Sequence, residues 1–143
     1  ALLDGMANMM AGRFLRARKD AESALAQERS LAAGAESPHH AAQLAVLAHL
    51  LVADSAQDLQ DKATRDEHLQ FALTPPAGAG KVTQETREGA QLRAARWALD
   101  DREPERALQL LSELPQGVAR RTVALRIKLK AALKLAKYIQ TNA

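Results

Sequence analysis

The run from Glu88 to Leu114, EGAQLRAARWALDDREPERALQLLSEL, constrains the fold more than any other, because it holds a helix, a polar break and a second helix. Leu92, Ala95, Trp97, Ala98 and Leu99 form one broad apolar face, with Arg87, Arg93 and Arg96 outside it. The break, Asp100 to Glu103, precedes Pro104, which fits only the first turn of a helix, so Glu103 is the expected N-cap. Ala107, Leu108, Leu110, Leu111 and Leu114 carry the second helix until Pro115 and Gly117 end it. Two helices joined so tightly lie antiparallel, and one such hairpin buries too little apolar surface to stand alone. It needs neighbours of its own kind.

The rest of the chain supplies them. In ALLDGMANMMAGRFLRARKDAESAL the tetratricopeptide pattern places Gly5 at its first small position, Gly12 at the turn, Phe14 at the aromatic that follows, and Ala17, Ala21 and Ala24 along the second helix. Ser37 and Pro38 read as N-cap and first residue of a third helix that ends near Asp54. SAQDLQDKA then looks like an over-long turn before a fourth helix, Thr64 to Leu73, with Arg65 where a small residue is expected. Thr74 to Thr83, with two prolines and two glycines, reads as a loop between repeats. Beyond Gly117 one long terminal helix is expected. The fold expected is all-α: a tetratricopeptide-like solenoid of about seven helices, forming one domain over 1–143. Its repeat-like units are about 2–32, 38–73, 85–115 and a truncated fourth, 118–141.

Composition agrees with helix, since aromatics are only 3% and Ala, Leu, Gln, Glu and Arg abound. The absence of cysteine excludes disulfides and thiolate chemistry. No apolar run approaches the ~20 residues of a membrane span, so this piece is expected to be soluble. Because the sequence opens on Ala1 already in helical pattern and stops inside an apolar-periodic stretch, it reads as an excised domain.

No catalytic constellation emerges. Gly78-Ala-Gly-Lys81 lacks the spacing of a phosphate loop and has Val82 where a magnesium-binding hydroxyl belongs. His39, His40, His49 and His68 are the only candidate metal or haem-iron ligands, and no pair has the i, i+4 spacing of a helical zinc site. Trp97 reads as core, and the acids from Asp100 to Glu105 as solvated turn and helix-start charges. The chain is therefore expected to be no enzyme and to hold no metal or resident cofactor.

Charge is distributed unevenly. From Val118 onward there are seven basic residues and no acid, whereas the residues before it carry the other 13 basic side chains against all 17 acidic ones. On one helix Arg126, Lys130, Lys134 and Lys137 share a stripe, with Leu125, Leu129, Leu133 and Ala136 beside it. Such a pattern suits an anionic membrane surface, an acidic partner or porphyrin propionates. Nucleic acid is not expected, for want of interleaved aromatics. Partner contacts are expected among Asn8, Arg13, Arg16, Gln43, Arg93, Arg96 and the basic stripe. Apolar surface on the last helix is expected either to make the piece self-associate, as a homodimer, or to pack that helix against a neighbour.

At Arg65–Leu73 (RDEHLQFAL), at REGAQLRAARWALDDREPERALQLLSELP and at the opening segment, the chain resembles the HemY family of proteobacteria. That resemblance implies tetratricopeptide-like repeats behind an N-terminal membrane anchor, at the inner membrane with this region on the cytoplasmic side, and association with late haem biosynthesis. It further implies protein partners, among them haem-biosynthesis enzymes, with a haem or porphyrin carrier as the alternative. The flavin-dependent oxidase that shares the name is excluded, because the chain has no GxGxxG fingerprint.

Overall fold

The structure, a computed structural model, describes residues 2–31, 38–74 and 83–141, with side chains described outside 27–31 and 38–42. Among the described residues it is all-α, with eight helices and no strand: α1 (Leu2–Met10), α2 (Phe14–Leu31), α3 (Pro38–Asp58), α4 (Lys62–Leu73), α5 (Gln84–Asp100), α6 (Pro104–Ser112), α7 (Gln116–Ala119) and α8 (Thr122–Thr141). No described helix is long and apolar enough to cross a membrane. Pro38 opens α3 as expected, but Ser37, most of the loop from Thr74 to Thr83 and Gly78–Lys81 lie outside the described residues.

Three hairpins share one turn. The chain reverses through Ala11-Gly12-Arg13, Leu59-Gln60-Asp61 and Asp101-Arg102-Glu103, and the central residues take left-handed φ values of 77°, 61° and 63°. In each, the third turn residue donates its N–H back to a carbonyl five residues earlier: Arg13 to Asn8 at 2.7 Å, Asp61 to Ala56 at 2.8 Å and Glu103 to Ala98 at 2.9 Å. The central residue bonds three back, to Met9, Gln57 and Leu99, at 3.1 Å each. This is the Schellman closure, which satisfies the last carbonyls of the incoming helix. The third turn residue then accepts the first bond of the outgoing helix, from Ala17, Arg65 and Ala107.

Counting from the turn centre, seven residues back and five forward pair Gly5 with Ala17, Ala53 with Arg65, and Ala95 with Ala107, and all six are buried. Small side chains there let the helices of a hairpin approach closely. A Cβ added to Gly5 would stand 2.8 Å from Leu51 Cδ2 and 3.3 Å from the Ala17 carbonyl. Arg65, only 3% exposed, departs from this rule by running its guanidinium to Gln57 Oε1 at 2.7 Å and to Asp66 Oδ1 at 2.8 Å.

The second hairpin corrects the sequence reading. Helix α3 continues to Asp58 rather than stopping near Asp54, and α4 begins at Lys62 rather than Thr64. The turn is therefore as short as the other two, because Gln60 accepts the left-handed conformation and Asp61 caps α4 by accepting from Thr64 N at 3.2 Å and Thr64 Oγ1 at 2.7 Å. A second correction concerns the terminal helix. It breaks at Arg120–Arg121, where Arg121 N–H bonds to Val118 O at 3.0 Å, so α7 and α8 are separate and eight helices replace about seven. Past that break α8 runs unbroken through Lys134–Lys137. Glu103 does stand at the N-cap of α6, with Pro104 after it.

Packing divides into two compact units, Ala1–Arg87 and Glu88–Ala143. In the first, α1 packs on α2, α2 on α3 and α3 on α4, around Ala21, Leu51 and Val52 with Leu2, Met9 and Leu25 against them. In the second, Ala95, Ala98 and Leu99 of α5 join Ala107 and Leu111 of α6, Leu114, Val118 of α7, and Ala124, Ile127 and Ala131 of α8. Trp97, 2% exposed, is a core residue as expected.

Candidate functional site

Helix α8 has three faces. Ala124, Ile127 and Ala131 are buried in the second unit's core, where the two alanines take little room and Ile127 fills the space between α8 and its neighbours α6 and α7. The face turned away from that contact is apolar as well. Leu125, Leu129 and Leu133 are 51%, 62% and 55% exposed, with exposed Ala132, Ala136 and Ile139 alongside. Between the two, on one flank, stand Arg126, Lys130, Lys134 and Lys137, all exposed. The other flank carries one cation, Lys128.

Where α8 ends it forms one wall of a cleft of about 520 Å³, facing the turn into α6. Arg102, Glu103, Pro104, Glu105 and Arg106 line one side, and Lys134, Leu135 and Tyr138 the other. Arg106 leans on Glu103 at 3.4 Å, and Lys134 belongs both to the basic row and to this cleft.

The remaining expected contact residues fall in both units. Asn8 spends its amide on Asp20, 2.7 Å away, tying α1 to α2. Gln43 donates to Thr86 Oγ1 at 2.6 Å and accepts from Thr83 N at 3.3 Å, which fixes the start of α5 against α3. Both amides work inside the first unit. Arg13 and Arg16 are exposed and border a shallow hollow with Phe14 and Leu15. In the second unit Arg93 folds back towards Gly89 and Arg96 is exposed.

One pairing escaped the sequence reading. His49 of α3 and His68 of α4 meet with their Nδ1 atoms 2.8 Å apart, and Phe71 stacks on His49 at a centroid distance of 3.8 Å. Desolvation by burial, and then the nearby His68, hold the His49 ring down to about 4. Burial also lowers His68, opposed by Glu67 and Glu22. The pair straddles the Gln60 turn in nearly the register of Ala53 and Arg65, so placing that turn would have predicted it. Among the described residues no three His, Cys, Asp or Glu side chains group to hold a metal. The side chains of His39 and His40 lie outside those described.

No protein-family model, no curated protein and no solved structure matches the chain.

Proposed function

We propose that this chain is a non-enzymatic protein-interaction scaffold, a tetratricopeptide-like α-solenoid of the HemY kind, tethered at the bacterial inner membrane on its cytoplasmic side and serving late haem biosynthesis. The observation that carries the interaction reading is the exposed apolar stripe of α8 beside a row of four cations. Apolar surface gathered in this way marks a place where another molecule is received. The repeat reading draws on three turns of one geometry with small residues at five of the six matching positions, and stacked hairpins of that kind build extended binding surfaces. The link to haem synthesis comes from the resemblance of Arg65–Leu73 and the Glu88–Leu114 hairpin to that family.

The test is retention of haem-biosynthesis enzymes from solubilised membranes by the parent chain, beside a variant with Arg126, Lys130, Lys134 and Lys137 changed to Glu. The parent retains them and the variant does not. A parent that retains none overturns the scaffold reading.

A second reading, a porphyrin carrier, is favoured by the cleft, where Arg102 and Lys134 stand near Leu135 and Tyr138, with Arg106 held by Glu103 and with Glu105 on the same wall. Cations over an apolar floor suit a flat ligand with two carboxylates. A shifted Soret band saturating near one porphyrin per chain, and weakened by Lys134→Glu, supports this reading; an unshifted band excludes it.

A further inference from the structure

Resting on the reading of the chain as an interaction module, we propose that α8 receives an amphipathic α-helix of a partner protein whose edge over Arg126, Lys130 and Lys134 is acidic. Leu125, Leu129 and Leu133 follow one another at i, i+4 and i+8, and an exposed row of that spacing is a ridge of the kind that seats in the groove of a second helix. Ala132 and Ala136 beside it are small enough to admit a close approach. The stripe spans the arc a helix uses to bury itself against one neighbour. Over it, Arg126, Lys130 and Lys134 repeat at the same interval, so carboxylates spaced i, i+4 and i+8 on the incoming helix meet one cation each.

Charge selects among the occupants. A second copy of α8 offers no acid, since the chain has none after Val118. In a two-fold antiparallel pair the two basic rows face each other across the seam and repel, and in a parallel pair neither row meets an acid, so charge does not favour self-pairing. An interfacial membrane helix carries cations along both borders of its apolar face, where headgroups lie on either side. Here one border has four and the other only Lys128. A partner helix with one acidic edge answers both the apolar ridge and the one-sided row.

The experiment titrates the full chain against synthetic helical peptides of about 20 residues. They share one leucine stripe and differ only in the row beside it: Glu, Gln or Lys. Vesicles of phosphatidylserine with phosphatidylcholine form a separate arm. The Glu-edged peptide should bind about tenfold more tightly than the Gln-edged one at low salt, with the advantage shrinking as salt rises. Lys130→Glu with Lys134→Glu should invert the preference towards the Lys-edged peptide, and Leu129→Asp should abolish binding of all three. Equal binding of Glu- and Gln-edged peptides, sensitive to Leu129→Asp, overturns the acidic edge while leaving the interaction surface in place. Vesicle binding without peptide binding overturns the protein partner in favour of a membrane. If no probe binds while enzyme retention by the parent persists, the α8 inference alone fails.

Discussion

His49 and His68, on different helices, share one hydrogen bond of 2.8 Å between their Nδ1 atoms, an arrangement that accommodates one proton between the rings and resists a second. Both rings are held below the ordinary histidine value, His49 to about 4, chiefly by burial. The unfolded chain therefore takes up protons first as pH falls from about 6.5, and the stabilisation present above that value is lost as pH descends to about 4. Because the rings are only partly buried, solvent screening limits the loss to the order of 1 kcal/mol. Melting temperatures between pH 7 and 4 should show the decline, and His49→Leu should flatten it.

The left-handed turn centres at Gln60 and Arg102 carry a strain that Gly12 avoids. Gln60→Gly and Arg102→Gly should each raise stability by about 0.5–1 kcal/mol, and Gly12→Ala should lower it by a similar amount. Urea titrations followed by circular dichroism, or for Arg102→Gly by fluorescence of the single tryptophan, Trp97, report the change.

Arg65 occupies the place that Ala17 and Ala107 hold in the other hairpins, and it is buried there as they are. Arg65→Ala should cost about 1–3 kcal/mol, since it empties packed volume and leaves Gln57 without its guanidinium partner. The reverse change, Ala107→Arg, forces the same volume into a fully buried position and should prevent the second unit from folding. Equal thermal midpoints for Arg65→Ala and the parent would contradict this account.

The hairpins were legible where the turn announced itself chemically. Gly12 marks the first and Pro104 the third, whereas the second turn centres on Gln60, whose left-handed conformation carries no sequence signal, so the sequence alone places the end of α3 too early. The break at Arg120–Arg121 was hidden for a related reason, because those residues favour helix and only the turn's hydrogen bonding separates α7 from α8. The basic row of α8 could be read directly, since its spacing is a property of one helix. The burial of Ala124, Ile127 and Ala131, which leaves the leucine stripe open, depends on how α8 packs against its neighbours, and the His49–His68 contact depends on the turn centred at Gln60.

The apolar stripe of α8 is the centre of the functional account, and a photo-reactive side chain in place of Leu129 tests it most directly. Irradiated in cells that express it, the protein should form an adduct whose partner peptide maps to a helix with an acidic edge. The same group in place of Gln109, exposed on α6, should form none. Adducts to phospholipid, or equal yields from the two positions, would contradict the claim that this stripe receives a protein helix.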